Sequence, residues 1–344
     1  MRGLYHPRPL RIRGEDPVKY DVIGIGNAVM DLIAPVEDSF LTEMGIQKGI
    51  MQLIELERSE MLHAALPDYR RIPGGSVANT MAGLGNLGLS TAFIGKVRDD
   101  EVGRAYVEET RAAGTDCPNK PVADGDLPSS RSMILVSKDG ERSMNTYLGI
   151  SSEVGPDDVP EEVCNQARVL FLEGYLYDKD KGKQAFETAA RLTRSAGGQA
   201  GIALSDPFCV DRHRGDFRKL VKELDYVIGN EHEWMSLYQT EDLSAALEQA
   251  SGDSGLIVCT RSGEDVVLVR GSEQAIAPVR EITPVDATGA GDQFAAGFLF
   301  GLARGADLAT AGRMGCVAAA EVISHYGARP EADLKDLFRK EGLI

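Results

Sequence analysis

Residues 284–305 read PVDATGAGDQFAAGFLFGLARG, which has the order of a strand end, a glycine turn and the opening of a buried helix. Phe294, Phe298, Leu299 and Leu302 recur at helical spacing, so the glycines stand where a helix would begin. Gly289, Ala290 and Gly291 are too small to cover three successive backbone N–H groups. First-turn amides and the positive end of the helix dipole attract anions, and missing side chains let a phosphate come close. Asp292 then sets a carboxylate beside the anion pocket, which anion binding alone would not need. Its chemical use there is as a base for an attacking hydroxyl, because phosphoryl transfer otherwise needs positioning and charge neutralisation. The residues alone leave a second reading open, in which Asp292 caps the helix and the glycines make a tight turn.

Outward from this run, the chain alternates. Residues 21–26, DVIGIG, read as the first central strand of an α/β sheet. Gly24 and Gly26 open a GxG, but Val29 holds the place of the third glycine, which removes a dinucleotide fingerprint. Asn27 and Asp31 follow just past the carboxyl end of that strand, where open α/β sheets bind ligands; the same pair also serves ordinary turns. Strand-like ARVLFLEG, GIALSD, LDYVIGN, GLIVCT and DVVLVR are interleaved with helical patterns over 181–195, 212–223, 232–238 and 243–250. That order predicts a parallel-rich sheet with helices on both faces, closed by two C-terminal helices over 306–324 and 334–340. Residues 32–54 carry strand-like LIAPV and GIMQLI, while 131–136 and 142–148 read as a hairpin turned by Lys138-Asp139-Gly140. A small β lid from about 31–56 and 115–149 is expected, the alternative being an edge hairpin of the main sheet.

Two further stretches point to the same cleft. In residues 72–88, IPGGSVANTMAGLGNLG, Gly74 and Gly75 permit close backbone approach and Asn79 lies one turn into a small-residue helix. In NEHE, Asn230 and Glu233 follow a strand directly, as oxygen ligands for Mg²⁺ or as a helix capping box.

DATGAGDQFAAGFLFGL resembles the C-terminal signature, and IPGGSVANTMAGLGNLG the N-terminal signature, of the ribokinase-like sugar and nucleoside kinases, the PfkB family. The resemblance covers about residues 20–340 and implies one ribokinase-like kinase domain over 20–344 with a discontinuous lid, preceded by an extension over 1–19. It implies transfer of the ATP γ-phosphate to an alcohol, with Asp292 as catalytic base and the Gly289-Ala290-Gly291 amides as anion hole. Asn230 and Glu233 would hold Mg²⁺ and phosphates through water, and Thr260 and Gly263 match positions near the nucleotide phosphates, although TRSGED fits that motif loosely. Asp286 matches the loop that binds a monovalent cation, commonly K⁺, in many relatives. GIGNAVMDLIA resembles the opening of adenosine kinases, in which Asn27 and Asp31 would hold ribose hydroxyls. Gln52 and Leu148 would then border the adenine, with Phe171, Tyr175 and Tyr177 as an aromatic wall and Gly74, Gly75 and Asn79 lining the acceptor site. The expected reaction makes AMP and ADP from adenosine and ATP, a purine salvage step. A kinase for another nucleoside, ribose or fructose, and a non-catalytic sensor on the same fold, are the alternatives.

A formal charge of −16 over 344 residues excludes general attraction to nucleic acid or anionic membrane, leaving small-molecule partners. No apolar run approaches the roughly 20 residues that span a bilayer, and 1–19 lack a signal-peptide core, with Glu15 and Asp16 against a basic targeting peptide. Five cysteines without CxxC spacing suit a reducing cytoplasm. Neither a GxxxxGK[ST] loop nor a GxSxG elbow occurs, which removes the P-loop and serine hydrolase classes. A monomer or a homodimer is expected.

Overall fold

A computed structural model describes residues 18–66 and 68–344; the extension read over 1–19 thus lies outside the described residues except for its last two. The main sheet contains β1 (Tyr20–Ile25), β5 (Thr91–Ile94), β6 (Thr115–Asp116), β9 (Ala167–Glu173), β10 (Gln199–Ala203), β11 (Tyr226–Asn230), β12 (Ile257–Arg261), β13 (Glu264–Arg270) and β14 (Glu273–Ala277). Its order is β14-β13-β12-β11-β10-β9-β1-β5-β6. Strands from β6 to β12 pair in parallel, as the alternation predicts. Beyond β12 it turns antiparallel, because Ser262 and Gly263 close a two-residue hairpin into β13, and β14, unread in the sequence, extends the meander. GLIVCT and DVVLVR therefore have no helix between them, unlike the other pairs.

The chain starts at β1, builds to one side through β5 and β6, and returns on the other side of β1 as β9. The strand order reverses between β1 and β9, and the crevice at their carboxyl ends is where such sheets bind ligands.

Among the described residues the α-helices are α1 (Asp38–Glu43), α2 (Leu56–Ala65), α3 (Ser76–Asn86), α4 (Glu101–Ala112), α5 (Glu161–Asn165), α6 (Asp180–Ser195), α7 (Pro207–Leu220), α8 (Glu231–Tyr238), α9 (Leu243–Asp253), α10 (Ala290–Ala303), α11 (Leu308–Val322) and α12 (Leu334–Lys340). The period of two along β1 divides them into layers. Val22 faces the core of α3 and α10 with Val77, Met81 and Phe294, while Ile23 and Ile25 face that of α6 and α7 with Phe186 and Phe217. Helix α10 is buried along its whole apolar length, and Gly297 and Gly301 bring α11 against it: a Cβ at Gly297 would stand 2.3 Å from the Met314 carbonyl.

The lid is a separate five-stranded sheet of β2 (Val29–Pro35), β3 (Met51–Leu53), β4 (Arg70–Gly74), β7 (Ser130–Val136) and β8 (Arg142–Tyr147), in the order β3-β8-β7-β2-β4. It is not an edge hairpin of the main sheet. The β7–β8 hairpin turns where expected, with Gly140 at φ +86° and its N–H on the Ser137 carbonyl at 2.8 Å. Two boundaries differ from the sequence reading: Thr115–Asp116 pairs with β5 in the main sheet, and the lid gains β4 from a stretch read only as glycines ahead of a helix.

Candidate functional site

The glycine turn is forced by packing. Gly289 sits at φ +78°, and a Cβ there would lie 2.6 Å from the Ala328 Cα, so both backbone and space require glycine. The Gln293 N–H on the Gly289 carbonyl at 2.8 Å closes the first turn of α10. Ala290 donates to the Ala287 carbonyl at 3.2 Å and is the one amide of the expected three that is spent. Gly289, Gly291 and Asp292 have no carbonyl partner for their N–H groups among the described residues, so the donors at this end are these.

Asp292 presents its carboxylate to α3. Ser76 donates to Oδ1 at 2.7 Å, Asn79 Nδ2 donates to Oδ2 at 3.0 Å, and the Thr80 hydroxyl donates to the backbone carbonyl of Asp292 at 3.0 Å. The residue keeps a partly open face, and burial of its carboxylate, opposed by the Asn79 and Ser76 hydrogen bonds, pushes it up to about 6. A carboxyl so placed is ionised at neutral pH and more basic than a free one. Asp292 is the acidic residue of the first turn of α10, but the N-cap is Gly289 and no side chain caps the helix, so the capping reading of Asp292 does not hold.

Across the switch point, Glu173 ends β9 fully buried and takes Asn27 N and Asn27 Nδ2, each at 2.8 Å, and Val77 N at 3.2 Å. Burial pushes Glu173 up to about 7 against those hydrogen bonds. Ser151 donates to Asn27 Oδ1 at 3.1 Å, so the Asn27 carboxamide is held by protein on both sides and fixes the turn after β1. Asp31, on β2, accepts no hydrogen bond from any described residue; burial pushes it up to about 7, with Arg329 and Arg142 pulling it down and Asp292 raising it. Its carboxylate fits because position 74 is glycine: a Cβ there would stand 2.2 Å from Asp31 Oδ2. Gly75, at φ +101°, likewise admits the Asn27 carbonyl, 2.2 Å from where a Cβ would be.

The lid reaches the anion turn. Arg142 at the start of β8 pairs with Asp286 at 2.6 Å, both side chains almost wholly covered. Asp286 Oδ1 takes the Thr288 hydroxyl at 2.7 Å and its N–H at 3.0 Å, and Oδ2 takes Gly327 N at 2.9 Å. The oxygens expected to face a monovalent cation are therefore engaged by the closed lid and by the turn itself. Gln52 Nε2, on the lid's edge strand β3, donates to Asn145 Oδ1 on β8 at 2.6 Å, and the half-buried Leu148 follows β8. Tyr175 is half-buried and donates to the Ser205 carbonyl at 3.2 Å. The aromatic wall is smaller than expected: Phe171 is core, and Tyr177 stacks on Phe217 at 4.5 Å between centroids, because alternate residues after β9 turn into the helical layer.

At the nucleotide end, Asn230 and Glu233 form a reciprocal capping box on α8: Asn230 N and Nδ2 donate to Glu233 at 2.8 and 2.7 Å, and Glu233 N donates to Asn230 Oδ1 at 2.9 Å. Burial pushes Glu233 up to about 8. The described residues contain no cluster of three or more His, Cys, Asp or Glu set to hold a metal directly. An Asn and a Glu at a strand end do fit Mg²⁺ held through waters and phosphates, its usual mode in phosphoryl-transfer sites. Thr260, one residue before the end of β12, lies beside Asn230 in the register, whereas Gly263 is exposed in the hairpin turn.

Four site residues went unread in the sequence: Ser76, Glu173, Arg142 and Arg329. Glu173 carried a weak signal, an acid ending an apolar strand; the arginines carried none. A cavity of about 720 Å³ between α6 and α7, lined by Glu187, Arg191, Arg194 and Glu223 among others, lies at the opposite, amino edge of the sheet, away from this chemistry.

The pattern of the pfkB family carbohydrate kinases matches residues 21–334, and the chain belongs to that family. It is similar across nearly its whole length to a probable sugar kinase protein from Rhizobium etli CFN 42, at 41% identity and a TM-score of 0.87 over 95% of this chain and 100% of that one. Adenosine kinase from Sinorhizobium meliloti is 44% identical, with a TM-score of 0.86 over 94% and 99% of the two chains. ATP-dependent ribose-1-phosphate kinase of Halopiger xanaduensis is 28% identical over 81% of this chain and 90% of its own. The fold is thus ribokinase-like, and the protein is a phosphotransferase of the sugar and nucleoside kinase class, a family that uses ATP and typically Mg²⁺. No described helix is long and apolar enough to cross a membrane.

Proposed function

We propose that the protein phosphorylates the 5′-hydroxyl of adenosine with ATP, giving AMP and ADP. The observation that carries the reading is the pair of carboxylates on the crevice: Asp292, oriented by Ser76 and Asn79 beside unpartnered amides, and Asp31, without a protein donor. Asp31 can take the ribose hydroxyls, and Gln52, Leu148 and Tyr175 give a half-apolar border for a purine. The 44% identity to the Sinorhizobium meliloti adenosine kinase supports this acceptor, beside 41% identity to a probable sugar kinase that keeps a sugar as the alternative.

In this reading the acceptor hydroxyl gives its proton to Asp292 as its oxygen attacks the γ-phosphorus, while the bond to the ADP oxygen breaks. The N–H groups of Gly289, Gly291 and Asp292 receive the charge on the transferring phosphoryl group, a preorganised electrostatic contribution. Asn230 and Glu233 would hold Mg²⁺ through water, and the ion would neutralise charge on the phosphate oxygens. The closed lid excludes water as a competing nucleophile. Tyr175 and Thr260 border the acceptor and the nucleotide, respectively.

The test is product formation with Mg·ATP and adenosine, inosine, ribose, ribose 1-phosphate or fructose. Adenosine should have the highest kcat/KM and yield AMP; preference for a sugar would overturn the acceptor but leave the kinase class standing.

A further inference from the structure

Arg329 lies in the loop after α11, directly behind the anion turn. Its neighbour Ala328 is the residue that packs on Gly289, and the Ala328 carbonyl accepts Gln293 Nε2 at 2.9 Å while the same amide donates to the Asn79 carbonyl at 2.9 Å. Gln293 therefore ties this loop to α3 and α10 at once. From that anchored position the Arg329 side chain runs inward, and its Nε and Nη2 are buried with no hydrogen-bond partner among the described residues. Leaving guanidinium N–H groups buried and unpaired is costly, and such a group asks for a partner charge or a ligand. The charges that act on Arg329 are Asp31 from β2 and Glu109 from α4, with the Tyr106 hydroxyl, also on α4, which donates to the Gly74 carbonyl at 3.0 Å. Those acting on Asp31 are Arg329, Arg142 from β8 and Asp292 from α10. Arg142 is already paired with Asp286, so Arg329 is the cation of this set without an ion-pair partner of its own.

We propose that Arg329 is a positioning residue of the acceptor site: its buried guanidinium is the counter-charge that keeps Asp31 a carboxylate, ready to accept the acceptor's hydroxyl protons. The proposal rests on the reading of Asp31 as an acceptor ligand. Asp31, pushed up to about 7, stands close enough to neutrality that loss of one nearby cation changes its state at working pH. The sign follows: without Arg329 the folded-state affinity of Asp31 for its proton rises, the carboxylate is lost at pH 7, and it returns as pH rises.

The experiment compares wild type, Arg329→Met and Arg329→Lys from pH 6 to 9, with adenosine as acceptor and Mg·ATP fixed. Arg329→Met should raise the acceptor KM about fivefold at pH 7, the fall in ionised Asp31 for a rise of one pKa unit from a value of about 7. The defect should shrink towards pH 9, with kcat and the ATP KM little changed, and Arg329→Lys should restore much of the loss. Where wild type uses another member of the acceptor panel, the same series is run with that compound, so the failure of adenosine is distinct from the failure of Arg329. A readout free of substrate is thermal unfolding of the apo protein. The Tm gap between wild type and Arg329→Met should widen from pH 5 to 8, and it should lose that pH dependence in an Asp31→Asn background. An unchanged KM and pH profile, or a defect equal at every pH and indifferent to Asp31→Asn, would overturn the proposal.

Discussion

At the residue scale the account turns on carboxylates whose surroundings differ. Asp292 is hydrogen-bonded from α3 at 2.7 and 3.0 Å and sits at a helix N-terminus, whereas Asp31 accepts no hydrogen bond from a described residue and feels the charges of Arg329, Arg142 and Asp292. For Asp292, held at about 6, the base form grows as pH rises through that value, so kcat should climb from pH 5 to 7 and then level. Gly289→Ala should cut activity sharply, because a Cβ 2.6 Å from the Ala328 Cα must push the loop or the turn aside. A strained substitution of this kind costs on the order of 1–3 kcal/mol; kinetics and a melting curve on that variant check it, and normal values for both would show that the turn tolerates a side chain. The glycine turn and the carboxylate beside it were legible as a candidate site because they are local in the chain. Asn27 and Asp31 were legible as polar residues past a strand, but their difference was not: Glu173, which claims Asn27, is 146 positions away.

At the element scale the parallel strands and their helices followed from alternation, since a strand buried on both faces announces itself as a short apolar run. The antiparallel β13–β14 edge did not, because a two-residue turn at Ser262-Gly263 and a helix-bearing loop differ only in what lies between two similar strands. Strand β4 was hidden for a related reason: Arg70–Gly74 contains a proline and ends in glycine, and it becomes a strand only as the edge partner of β2. The lid latch belongs to this scale as well. Arg142 and Asp286 form a covered ion pair between β8 and the anion turn, and removing one partner leaves the other charge buried. Since a lid can open, that penalty should appear as a shift towards the open form. Arg142→Ala is expected to speed amide hydrogen exchange in β7 and β8 well before that in β1 and β9; equal protection in wild type and variant would show that the pair does not hold the lid.

At the scale of the whole molecule, burial raises Asp31, Glu173 and Glu233 to about 7, 7 and 8. Each has a folded value above its unfolded one, so protonation favours the folded state and stability falls as pH rises through the window between the two values. The ligand-free protein should therefore melt at a lower temperature at pH 8 than at pH 5.5, by calorimetry at fixed ionic strength; a melting point that rises across that range would contradict the burial of these three groups. Nothing in the composition tells which acceptor enters the crevice. The residues proposed to border the acceptor come from the lid and from distant parts of the chain, which composition does not bring together.

The decisive measurement is transfer of the γ-phosphoryl group of ATP to adenosine by the wild-type protein and by Asp292→Asn, with AMP quantified and nucleotide binding measured separately. Loss of a general base is worth about 10²-fold or more, so the variant should bind ATP normally and form AMP at least two orders of magnitude more slowly. AMP formation by Asp292→Asn at the wild-type rate would contradict the assignment of that carboxylate as the base.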